Sequence, residues 1–100
     1  MKIYGFTIID TDDNGIDGCS ARYSETYLFA DKNVRDEKAW EMFRDSYQAD
    51  VNDDRIDDSL YDKEQPSVET FLLRLANSGY DYYGRYNSDY QIEVFETDLQ

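Results

Sequence analysis

The chain has 100 residues, 40% hydrophobic and 16% aromatic, with 23 acidic against 10 basic side chains and a formal net charge of −13. The aromatic content excludes a disordered acidic polymer, and the charge excludes nucleic acid or an anionic membrane as a direct ligand. One cysteine, Cys19, excludes an internal disulfide, and the lack of histidine excludes serine–histidine triads, most zinc sites and the usual general base.

A chain of this length makes one domain, expected to span residues 1–100. Lys2 to Ile9 reads as a strand, with β-branched or aromatic residues on both faces, which suits a central position in a sheet. Asp10 to Gly18 reads as a hairpin loop turning at Asn14-Gly15, and Ala21 to Ala30 as a strand pairing back on the first. Asn33 or Asp36 then caps a helix running to about Ala49, with Ala39, Trp40, Phe43 and Tyr47 on one face. A short helix is expected from Asp53 to Asp62, with Ile56 and Leu60 one turn apart.

The segment from Ser67 to Gly79 carries the clearest helical pattern. Val68, Phe71, Leu72, Leu75 and Ala76 recur at helical spacing, Ser67 supplies a cap, and Gly79 supplies the left-handed terminus. This helix is expected to form the centre of the core. Tyr80 to Tyr86 and Tyr90 to Thr97 complete the pattern as a second hairpin. The predicted class is α+β: an antiparallel four-stranded sheet with two or three helices on one face, in the order β-β-α-(α)-α-β-β.

Four features bear on function. Asp10, Asp12, Asn14 and Gly15 match the opening of an EF-hand calcium loop, D-x-[DN]-x-[DN]-G, making Asp10, Asp12 and Asn14 an alternative metal site. The twelfth position, however, is Ala21 where a bidentate glutamate is needed. Carboxylate pairs for hydrolysis are available everywhere and therefore identify nothing. Without histidine, a P-loop or a dinucleotide fingerprint, the chain is not expected to be an enzyme, and no cofactor is expected. The tyrosines from Tyr80 to Tyr90 suit either a cross-strand ladder or a contact surface, with Tyr83 taken as the exposed contact residue.

The fourth feature is the run of eight acids from Asp45 to Glu64, opposed only by Arg55 and Lys63. On a continuous helix Asp50, Asp54, Asp58 and Asp62 would line up at steps of roughly 6 Å, like phosphates along one nucleic-acid strand. Asp53 and Asp57 add to the row. Like charges at this spacing oppose helix formation, so folding alone gives no reason for them. Asp50, Asp53, Asp54, Asp57, Asp58, Asp62 and Tyr83 are therefore the expected partner-binding residues.

In size, charge and lack of catalytic motifs the chain resembles the small acidic inhibitors that phages direct against restriction or CRISPR nucleases, and the immunity proteins of nuclease toxins. That resemblance implies an acidic interaction module acting as a nucleic-acid mimic on a basic, nucleic-acid-binding partner. The competing readings are a calcium-binding module using the Asp10–Gly18 loop and a structural subunit whose charge only solubilises it. No membrane contact is expected, and with no leader-like apolar run at the N-terminus a cytoplasmic location is expected.

Overall fold

The structure, a computed structural model, describes residues 1–16, 19–56, 66–86 and 88–98, with the side chains among these apart from those of 11–16, 19–22 and 88. Four strands, β1 (Lys2–Ile16), β2 (Cys19–Phe29), β3 (Tyr80–Arg85) and β4 (Ser88–Asp98), form one antiparallel sheet in the order β2-β1-β4-β3. Helices α1 (Lys32–Asn52) and α2 (Val68–Ser78) lie between the two hairpins in sequence. The class is α+β, with two helices among the described residues. None of them is long and apolar enough to cross a membrane.

β1 is central, as its two apolar faces predict. Its partners are β2 through Tyr4↔Phe29 and β4 through Ile8↔Ile92. One difference matters for function: β1 does not end at Ile9 but pairs onward through Asp10↔Tyr23 and Asp12↔Ala21 on one side and Asp10↔Tyr90 and Asp12↔Ser88 on the other. Aspartate is a poor strand former, yet two flanking ladders override that preference.

The helix termini follow local chemistry. The Ser67 hydroxyl accepts the Thr70 N–H at 3.2 Å, and Gly79 at φ 81° donates its N–H to the Leu75 carbonyl at 2.8 Å. At α1 the cap is Asp31, whose carboxylate accepts from the Asn33 and Val34 N–H groups, so the helix starts before Asn33 and Asp36.

The core lies on one sheet face. Phe6, Ile8, Ile92, Tyr90 and Tyr83 from the strands meet Ala39, Phe43 and Tyr47 of α1 and Phe71 and Leu75 of α2. Its centre is Phe43 rather than the α2 stripe: the Phe43 ring sits 4.9 Å from Phe71, 5.5 Å from Tyr83 and 6.0 Å from Tyr90. The opposite face carries exposed Leu28, Tyr80 and Tyr82, and there Phe95 packs over Gly5, where any Cβ would collide with its ring.

The second helix expected from Asp53 to Asp62 does not begin there. α1 stops at Asn52, Asp54 adopts a left-handed φ of 54°, and the Arg55 N–H turns back to the Asp50 carbonyl at 2.8 Å. Ile56 then bridges to Arg85 in extended conformation and buries its side chain to 1% exposure. The remainder of that expectation, Asp57 to Asp62, lies outside the described residues.

Candidate functional site

Four charged residues are buried among those described: Arg35, Asp50, Asp81 and Arg85. Each is paired, as a buried charge must be. Arg35 bonds Asp36 at 2.9 Å and reaches the Phe95 carbonyl at 3.1 Å. Asp81 accepts the Tyr82 N–H at 2.9 Å and lies 3.4 Å from Arg74; burial nonetheless holds its carboxyl above the usual carboxylate range.

Asp50 and Arg85 belong to a longer network. The helical period places Asp50 one turn after Ser46 on the same inward side of α1, while strand alternation turns Tyr83 and Arg85 of β3 toward that helix. The Tyr83 hydroxyl donates to Asp50 Oδ2 at 2.5 Å, and the Ser46 hydroxyl lies 2.5 Å from the same phenol. Tyrosine has one proton, so with it committed to Asp50 the serine is the donor to Tyr83. Arg85 Nη1 stands 3.6 Å from Asp50 Oδ2, and its Nη2 bonds Asp10 and the Asp89 carbonyl. Arg55 adds a second cation 3.6 Å from Asp50 Oδ1. Two carboxylates thus face two guanidiniums, and the assembly is neutral.

Burial first, then the bond to Asp50, pushes the Tyr83 phenol far above its ordinary value of 10.0. Burial first, then the Asp10 charge, does the same to Tyr90. A tyrosine that stays protonated takes no proton from Ser46. A phenol raised in the folded state contributes stability that is complete below pH 10 and is lost above it, where only the unfolded chain ionises. Unfolding in urea should therefore become easier between about pH 10 and 11, by about 1 kcal/mol for each of the two tyrosines. Tyr83→Phe should remove one such increment; an unchanged slope in that variant would place its phenol in solvent.

These positions correct several sequence expectations. Asp50, at 5% exposure, and Tyr83, at 0%, are interior residues, where an exposed position was expected. Strand alternation puts Tyr83 on the opposite face from Tyr80 and Tyr82, and α1 lies over Tyr83, so Tyr80 and Tyr82 are the exposed ones. Tyr83 forms the cross-strand ladder instead, stacked 5.1 Å from Tyr90. Asp53 and Asp54 are exposed, whereas Asp57, Asp58 and Asp62 lie outside the described residues. The row of aspartates at helical steps is broken by the left-handed Asp54. Asp10, Asp12 and Asn14 lie within β1, whose strand runs on to Ile16 instead of giving way to a loop after Ile9. Asp10 instead serves Arg85.

Beside the network, between α1 and the β1–β2 hairpin, lies a groove of about 460 Å³. Ile8, Met42 and Tyr90 form its apolar interior, with Asp10 and Ser46 at the end nearest the network. Tyr23, Glu25 and Asp45 complete the lining, all three exposed. Sequence reasoning missed this groove because its lining comes from four separated elements. Comparison with protein-family models, with curated proteins and with solved structures finds no match for this chain.

Proposed function

We propose that the chain is a protein-interaction module whose negative surface engages a basic protein, a nucleic-acid-binding protein or nuclease being the class that fits. The carrying observation is where the positive charge goes. Seven of the eight basic side chains among the described residues, Lys2, Arg35, Lys38, Arg44, Arg55, Arg74 and Arg85, are ion-paired within the fold. Glu37, Asp53, Asp54, Glu69 and Asp89 stand exposed. A surface of one sign raises the encounter rate with an oppositely charged partner and repels others.

Binding fits this chain better than catalysis, since the Asp10–Arg85–Asp50–Tyr83 array is neutral and its phenol stays protonated. Mimicry of nucleic acid here is mimicry of field, not of a regular phosphate spacing, because the helical row is interrupted. The test is capture of basic proteins from a nuclease-rich lysate by the wild-type chain and by Asp53→Asn/Asp54→Asn. Asparagine tolerates the left-handed conformation at position 54, so the fold should survive. Basic nucleic-acid-binding proteins should be retained by the wild type and reduced with the variant. Equal recovery with both baits would leave the charge a solubilising surface.

A further inference from the structure

The groove between α1 and the β1–β2 hairpin has the size, walls and charge to take one particular kind of side chain. We propose that it is a socket for an arginine of the basic partner, which specifies the contact within the interaction function proposed above and rests on that reading.

The groove volume of about 460 Å³ lies within the roughly 300–1,000 Å³ of pockets that enclose small ligands. Ile8, Met42 and Tyr90 offer an apolar wall for a methylene stem, and Tyr23, 65% exposed at the mouth, offers a ring face on which a guanidinium stacks. Glu25 comes from β2 and Asp45 from α1, so carboxylates stand on both banks. Each is engaged inside the protein through one named oxygen: Tyr27 donates to Glu25 Oε2 at 2.7 Å, and Arg44 lies 3.1 Å from Asp45 Oδ1. A carboxylate has about four acceptor sites, so both retain capacity for a further donor.

The carboxylates do not converge as metal ligands would. No group of three acidic or cysteine side chains among the described residues is placed to hold a metal ion. Carboxylates on two banks with aromatic and apolar walls between them suit an elongated, planar, five-donor cation better than a point charge, which favours arginine over lysine. The Asp45–Arg44 pair is solvent-exposed and hence weak, so an incoming guanidinium displaces it readily. Asp10 stays bound to Arg85, so the inner end of the groove is neutral and the entering cation is met by Glu25 and Asp45.

The test uses hexa-arginine and hexa-lysine peptides as probes, followed by amide chemical shifts at low salt. Hexa-arginine should saturate shifts in residues 23–25 and 42–46, and hexa-lysine should bind about tenfold more weakly. Glu25→Gln/Asp45→Asn should weaken hexa-arginine about tenfold, as expected for loss of two charge-assisted contacts. Asp53→Asn/Asp54→Asn, an equal change of charge outside the groove, should weaken it by about twofold or less, since exposed charges act at a distance only through screened attraction. Both pairs are exposed, and unchanged melting temperatures would verify intact folds.

Equal weakening by the two variants, or shifts centred elsewhere, would overturn the socket while leaving the acidic interaction function standing. Equal affinity for the two peptides would overturn the assignment to arginine. Failure of the wild type to bind hexa-arginine at all would overturn both the socket and the function it rests on.

Discussion

Arg85→Met is expected to destabilise the protein by about 3–5 kcal/mol, the usual result of leaving one member of a buried ion pair without its partner. Asp50 would remain at 5% exposure with the Tyr83 hydroxyl and only the half-exposed Arg55, 3.6 Å away, to balance its charge. Asp10, already in contact with solvent, would suffer less. Adding Asp50→Asn to Arg85→Met should restore most of the loss, because the amide oxygen still accepts the Tyr83 proton and no buried charge remains. Urea unfolding of the two variants measures this coupling directly. A single variant costing under about 1 kcal/mol would mean that water reaches Asp50.

Phe43→Ala should cost a comparable amount, about 3–5 kcal/mol, as large-to-small changes of buried aromatics do. The reason is position: Phe43 is fully buried and joins α1 to α2 through Phe71 and to the sheet through Tyr83 and Tyr90. Leu73, of similar hydrophobicity but 61% exposed on α2, should tolerate alanine within about 0.5 kcal/mol. Chemical denaturation of the pair distinguishes the interior Phe43 from the exposed Leu73. Nearly equal losses would contradict the arrangement described.

What could be read from sequence was local. Ser67 and Gly79 act on backbone groups within one turn, so their chemistry is visible from neighbouring residues. The separation of Tyr83 from Tyr80 and Tyr82 follows from the two-residue period of a strand. Which side faces inward does not follow, because it is set by Phe43 and Tyr47 of a helix more than thirty residues earlier. Asp50 looks like one more acid in an acidic run; only Tyr83 and Arg85, brought beside it by the fold, make it an interior residue. Asp10 to Asp12 has loop composition, yet the neighbouring strands on both sides hold it in the sheet. The groove was illegible for the same reason, since Tyr23, Glu25, Asp45 and Tyr90 meet only in three dimensions.

The central claim, that the acidic surface occupies the nucleic-acid site of a basic protein, is tested most directly by competition. A captured partner is loaded with a fluorescently labelled duplex, and anisotropy is followed as the chain is added at low and at physiological salt. The account predicts displacement of the duplex by the wild-type chain, weaker as salt rises, and much reduced for Glu25→Gln/Asp45→Asn/Asp53→Asn/Asp54→Asn. A duplex that stays bound while the chain binds alongside it, or displacement that the charge-depleted variant matches, would contradict it.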